Sequence, residues 1–371
     1  MRKHCKFALS DLLSLTATEH HSLPNRSGLR VATGLTLRTL IAESRSPGED
    51  ILDNSITFKG GGSAKALQQI DSPGSTEESW VYVEFKPYEI NRRRPRSGQE
   101  TLKRACYLAN LLRHAKATEA GFRTLRLRCL VQQTYPSPRL AFIFDLPTGL
   151  VPKPITLLEA IEDKDGNEIR PTLGERFKIA RSLAETLFQF HSVGWLHKSI
   201  RSENILLFRD QLTHTIIYPH PYLVGFEFSR DVTDSSTVER DRLLERNIYR
   251  HPDRQGPPED APGNRFNILH DIYALGVVLL EVGLWRPVMG YEEWRDCRGA
   301  DERKSMLEEH AEERLPHYMG RRYTNAVSAC LKGEIADEIG GEPSNDVERE
   351  KVLLAFWEKV VGETESGIHL R

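Results

Sequence analysis

The sequence predicts an α+β fold, with a small strand-rich N-terminal part and a larger helical remainder. Three observations carry that expectation. Between Ile51 and Pro147 the runs "SITFKGGG", "SWVYVEFKPY", "LRLRCLVQQTY" and "RLAFIFDLP" are rich in β-branched and aromatic residues and read as strands. From residue 148 onward apolar residues recur three and four apart, the helical spacing. One stretch, "HDIYALGVVLLEVGLW", is apolar on nearly every face, as in a helix enclosed by protein.

Taken in order, residues 1–50 are rich in Ser, Thr and Arg, and "GLRVATGLTLRTLIAES" supports at most a short helix. The stretch "GGSAKALQQIDSPGSTEE" carries several turn signals between two predicted strands. Residues 98–115 place Leu102, Ala105, Leu108, Ala109 and Leu112 on one helical face. In "TLGERFKIARSLAETLFQFHSVG", Thr172 is an N-cap candidate and Gly194 a stop signal. "EEHAEERLPHYMGRRYTNAVSACLKGE" supplies one or two more helices, and "DVEREKVLLAFWEKVVGE" a last one. No internal repeat or long low-complexity tract interrupts the order.

The bulk properties exclude several classes. The chain has 371 residues, enough to bury a large core without disulfide staples. Its net charge of −2 gives no global case for nucleic acid, and the run Arg92, Arg93, Arg94 and Arg96 reads as a solvated loop. Five cysteines are scattered with no C-x-x-C pair, which argues against a disulfide framework or structural zinc and for a reducing compartment. His191 and His197 lack neighbouring ligands at metal spacing, so no metal site is expected. The start lacks a signal-peptide pattern, and the most apolar run is broken by Glu281 and too short for a bilayer. The expectation is an intracellular, cytoplasmic protein that engages protein partners rather than nucleic acid or membrane.

The chemistry-bearing stretch is "HKSIRSEN". His197, Ile200 and Asn204 stand in the register of the protein-kinase catalytic loop H-R-D-L-x-x-x-N. Further on, Gly225-Phe226-Glu227 stands where such proteins carry D-F-G, and His251-Pro252-Asp253 resembles A-P-E. With "FHSVGWLHKSIRSENILLF" and "HDIYALGVVLLEVGLWRP", these residues resemble the protein-kinase fold, and more narrowly the kinase-like domains of fungal proteins that often follow a prion-inhibition or HeLo-type helical domain. The resemblance implies a bilobal architecture: an N-terminal extension over 1–50, an N-lobe over 51–147 and a helical C-lobe over 148–371. It implies ATP as the ligand. It assigns Lys86 and Glu100 to a phosphate-binding ion pair, Gly60-Gly61-Gly62 to phosphate cover, and residues 145–147 to an adenine-binding hinge. Arg201 and Asn204 join the nucleotide site, while His197 and Asp271 hold the loop. The residues alone also admit plainer readings: Lys86 as a surface lysine, Glu100 as a favourable helix start, the glycine triplet as a turn, and Asn204 as a local backbone partner.

Two departures decide the functional expectation. The loop carboxylate that accepts the substrate proton is replaced by Ser199, and the metal-binding carboxylate by Gly225. A hydroxyl is a poor base, and glycine offers magnesium no side-chain oxygen. The expectation is a pseudokinase, a nucleotide-binding or scaffolding module in signalling, with no catalytic residue in place and magnesium disfavoured. The alternative is a divergent, active Ser/Thr kinase using Glu227 or Glu203 as the substitute carboxylate. On an extended strand, Glu227 would face the same side as Gly225.

Overall fold

The computed structural model describes residues 51–53, 57–58, 65–71, 79–87, 95–113, 122–133, 137–163, 166, 170–231, 244–255, 266–337 and 339–368. Residues 1–50, the glycine triplet 60–62 and Arg92–Arg94 lie outside that set.

The strand-rich part is one five-stranded antiparallel sheet in the order β1-β2-β3-β5-β4. Its strands are β1 (Thr57–Phe58), β2 (Lys65–Asp71), β3 (Ser79–Pro87), β4 (Leu127–Gln133) and β5 (Arg139–Asp145). β2 lies within the segment 61–78, which the sequence marked only by its turn signals. "KALQQID" has little strand character of its own and gains it by pairing with β3, from Lys65 opposite Glu84 to Ile70 opposite Ser79.

The side-chain period of two divides the sheet into faces. Val81, Val83 and Phe85 of β3 join Cys129, Val131, Ala141 and Ile143 in a buried cluster on one face. Tyr82, Leu140, Phe142 and Phe144 belong to the main core on the other. The helix Pro95–Arg113 (α1) packs on β4 and β5. It buries Ala105, Leu108, Ala109 and Leu112, the face read from the sequence.

The helical part is built around α5 (Ile268–Leu284), preceded by α2 (Leu157–Glu162), α3 (Leu173–Ser192) and the single turn α4 (Leu244–Asn247). Thr172 caps α3 with a full capping box: Glu175 N–H donates to Thr172 Oγ1, and Thr172 N–H donates to Glu175 Oε2 at 2.8 Å. Gly194 then turns the chain at φ 80°. α5 is buried along nearly its whole length, as its all-round apolar pattern requires. It packs chiefly on α6 (Ala300–Lys332), which is two helical segments joined at a kink where Gly320 adopts φ 78° and ψ 170°. The chain closes with α7 (Asp346–Phe356) and a π-turn over Trp357–Gly362. Among the described residues, no helix is long and apolar enough to cross a membrane.

The close approach of α5 to α6 rests on small residues. A Cβ on Gly276 would lie 2.7 Å from Cys330 Cβ and 3.2 Å from Leu331 Cδ2. Gly276→Ala should therefore lower unfolding stability by about 1–3 kcal/mol, as overpacking does. Gly299, with nothing within 4 Å of an added Cβ, is the N-cap of α6; Gly299→Ala should cost about 0.5–1 kcal/mol, from the poorer N-cap alone and without overpacking. Urea denaturation of the two variants checks the contrast.

Candidate functional site

The short strand β6 (Ile155–Thr156) pairs with β8 (Ile205–Leu207), and the loop 197–204 leaves β7 (Trp195–Leu196), makes a 3-10 turn over Ser202–Asn204, and enters β8. Opposite runs the segment of β9 (Tyr222–Leu223), the 3-10 turn Phe226–Phe228, and β10 (Arg230–Asp231). β8 pairs with β9, and β7 with β10. Between those ladders Val224 N–H donates to Asn204 O at 2.9 Å, and Ser229 Oγ donates to His197 O at 3.0 Å. The two stretches are thus braced along their length.

Asp271, in the first turn of α5, fixes the loop. Its carboxylate is fully buried and accepts the N–H groups of His197 (2.7 Å) and Lys198 (2.8 Å). His191 Nε2 lies 3.2 Å away. Burial pushes the Asp271 carboxyl upward, but these donors outweigh it and hold its pKa below the usual range. His197 is fully buried, with its ring edge-on to Phe190 and Phe226.

Ser199 and Asn204 face each other. Asn204 Nδ2 donates to Ser199 O at 2.6 Å and to Ser199 Oγ at 2.9 Å. The Asn204 Nδ2 group is thus engaged with the loop itself. Arg201 is nearly buried; its Nε lies 3.0 Å from Glu203, and its guanidinium 4.0 Å from Glu227.

Gly225 adopts φ 95°, the left-handed region. This corrects the expectation that Glu227 would share a side with residue 225: the chain bends into a 3-10 turn there instead of running extended, and Glu227 approaches Arg201. The bend is held by Glu84, a residue the sequence reading did not single out. Its carboxylate is buried and accepts Gly225 N–H at 2.6 Å and Phe226 N–H at 2.7 Å. Phe226 is then seated among Phe144, Phe190 and His197. The available signal was parity: Glu84 lies two residues from Tyr82 on the core-facing side of β3, where a carboxylate must find donors.

Lys86 is half-buried two residues further along β3, so by parity on the face of Tyr82 and Glu84. Glu100 falls within α1, and its side chain lies outside the described residues, so the pairing expected with Lys86 does too. The carboxylate of Asp145, in the stretch read as a hinge, takes Arg128 Nε at 2.6 Å.

A third buried acid, Glu281, sits in the last turn of α5 with no exposure. It accepts hydrogen bonds from Ser202 Oγ, from Tyr249 O–H at 2.9 Å and from Val288 N–H at 3.0 Å. Burial still dominates and pushes its carboxyl up to about 7. Close by, His251, Asp253 and His270 gather their ligand atoms within 4.8 Å of one another. The donor set does not suit a metal. His270 Nδ1 accepts Asn267 N–H at 2.9 Å, so its proton sits on Nε2, which points at Asp253 at 3.1 Å. A metal on Nε2 would demand the opposite tautomer and break the cap of α5. For magnesium, which takes oxygen ligands, residue 225 offers no side-chain oxygen.

A family model described as a domain of unknown function, DUF7580, matches residues 116–353. The chain belongs to this family. A search of curated proteins returns no match. The matched span of the DUF7580 chain holds Ser199, Asn204, Gly225 and Asp271, while Glu84, Lys86 and Glu100 lie before it.

Two outcomes follow from these carboxylates. Glu84→Gln puts an amide N–H against a backbone N–H, and should cost about 2 kcal/mol or more of stability, the scale of hydrogen bonds to a charged acceptor; chemical denaturation reads it. For Glu281, the folded pKa near 7 exceeds the ordinary 4.5. The folded state then holds the proton more tightly. Its contribution is full below about pH 4.5 and is lost as pH rises through 7. Glu281→Gln should remove that decline, so that melting temperatures of variant and parent converge at pH 5 and separate at pH 8.

Proposed function

We propose that this chain is a protein-kinase-like module without efficient phosphoryl transfer, a pseudokinase that works in signalling by binding rather than by catalysis. The observation that carries the reading is the state of the loop: Ser199 Oγ, in the place of the proton acceptor, takes the Asn204 amide, and residue 225, in the place of the metal ligand, is a glycine whose N–H is clasped by Glu84. Phosphoryl transfer relies on positioning and on cancelling charge at the phosphates. Each missing group contributes about 2–4 kcal/mol to such transition states, so their joint loss is severe.

Further support comes from the frame around the loop. An acid at the start of a buried helix bonds the main chain of a loop bearing the H-x-x-x-x-x-x-N pattern, under an antiparallel sheet that carries a half-buried lysine on its core-facing side. ATP is the nucleotide such a cleft would hold, with Lys86 and Arg201 toward its phosphates. The partners in this reading are proteins, engaged in an intracellular setting.

A second reading, a divergent active kinase, draws on Glu227, whose carboxylate is nearly buried beside Arg201. Both readings are tested by melting the purified protein with ATP, with and without magnesium, and by following γ-phosphate release. The expected outcome is no magnesium-dependent rise in melting temperature and no turnover above buffer. A magnesium-dependent rise with turnover that disappears in Glu227→Gln would overturn the pseudokinase reading in favour of the second.

A further inference from the structure

The cleft proposed above for a nucleotide lies between the core-facing side of the sheet and the turn at 225–228. In the structure these two walls touch. β3 lies directly against the turn Phe226–Phe228. The buried Glu84 carboxylate spans from one to the other, accepting Gly225 N–H at 2.6 Å and Phe226 N–H at 2.7 Å. Bonds of that length are direct, charge-assisted contacts with no atom between the partners. Tyr82, two residues before Glu84 on the same side of β3, is also buried. Its ring centroid lies 6.3 Å from that of Phe144, and Phe144 lies 6.0 Å from Phe226. From Tyr82 to Phe226 the contact between sheet and turn is made of packed side chains.

The chemistry of the contact opposes a nucleotide as well. Kinases bring the β- and γ-phosphates to the position of residue 225 through a metal ion. Here the N–H of residue 225 already ends on a carboxylate. Phosphate and carboxylate repel, most strongly where protein keeps water out. A second acid stands near: burial and the charges of Glu84 and Glu227 push the Tyr82 hydroxyl well above its ordinary pKa. Arg201 lies 4.0 Å from Glu227. A nucleotide whose phosphates reached residue 225 would have to take Glu84 off both main-chain donors, and a buried carboxylate stripped of donors is costly.

We propose that Glu84 is an autoinhibitory latch: it fastens the sheet to the 225–226 turn and bars nucleotides from the cleft for as long as it stays closed. The inference rests on the pseudokinase reading for where a nucleotide would enter, and adds what controls entry. With the latch closed the cleft is shut and holds no ATP. Release of Glu84 parts β3 from the turn and withdraws a negative charge from the path of the phosphates. The loss of chemistry at Ser199 and Gly225 and the closure of the cleft are then separate properties, and each can be changed without the other.

The test uses the full chain, with ATP and ADP titrated calorimetrically in the absence of magnesium. Glu84→Gln and Glu84→Ala should each bind at least about tenfold more tightly than the parent, 1.4 kcal/mol being tenfold. Both variants lose stability, so Gly276→Ala, which strains the contact of α5 with α6 and leaves the latch intact, is the control and should bind no better than the parent. Melting without ligand reports whether each variant folds. Hydrogen exchange read by NMR on the parent decides the matter even where neither Glu84 variant folds: the amides of Gly225 and Phe226 should exchange about tenfold or more slowly than exposed amides, as buried hydrogen-bonded groups do. Four results would overturn the latch: folded Glu84 variants that bind no better than the parent, an equal gain in Gly276→Ala, fast exchange of both amides in the parent, or ATP bound to the parent with both amides still protected. Phosphate release tests the pseudokinase reading separately. Turnover by a nucleotide-bound Glu84 variant would overturn that reading and leave the latch standing.

Discussion

The geometry of the central loop depends on a single buried carboxylate. Asp271 lies at the start of the most buried helix in the described chain, where the helix N-terminus favours negative charge. Two main-chain N–H groups of the 197–199 turn end on it. The turn needs such an anchor, since Lys198 is held at φ 65°, a conformation that costs about 1–2 kcal/mol for a residue with a Cβ. With Asp271 in place, His197 is fixed between Phe190 and Phe226, and Ser199 and Asn204 meet.

The same use of charge recurs. Glu84 clasps the 225–226 turn from the sheet, and Glu281 gathers Ser202, Tyr249 and Val288 from inside the helical part. Three buried acids thus join segments distant in sequence, and each ends on main-chain N–H or hydroxyl donors. A buried carboxylate is costly unless its oxygens are satisfied, and here the donors come from the loops that surround the candidate site. These acids position loops; the two positions where the resemblance calls for a chemically active acid hold serine and glycine instead.

Much of this was legible in the sequence. The face of α1, the capping box at Thr172 and the enclosed helix α5 follow from local spacing and chemistry, because each is decided within a few residues. What was hidden depends on long-range partners. β2 becomes a strand through β3, although its own sequence has little strand character and turn residues flank it on both sides. Glu84 reads as one more alternating strand residue until the 225–226 turn, 141 positions away, supplies its donors. Glu281 looked like a break in an apolar run and is instead a junction, because Ser202 and Tyr249 converge on it only in the fold. The extended course expected through Gly225 failed for a related cause: with two donors captured by Glu84, the chain bends.

That bend bears on what the glycine means. At φ 95° residue 225 lies where side chains with a Cβ are strained, and its N–H already ends on Glu84. An aspartate there would take a left-handed backbone that its short side chain tolerates better than most, but it would put a second negative charge beside the carboxylate that holds the turn. An acid at 225 is thus opposed chiefly by the neighbouring charge. Glycine at 225 and the carboxylate at 84 form one arrangement, in which the donor that closes the turn and the freedom to make it are supplied together. With Phe226 N–H on the same carboxylate, two main-chain donors tie the turn to β3.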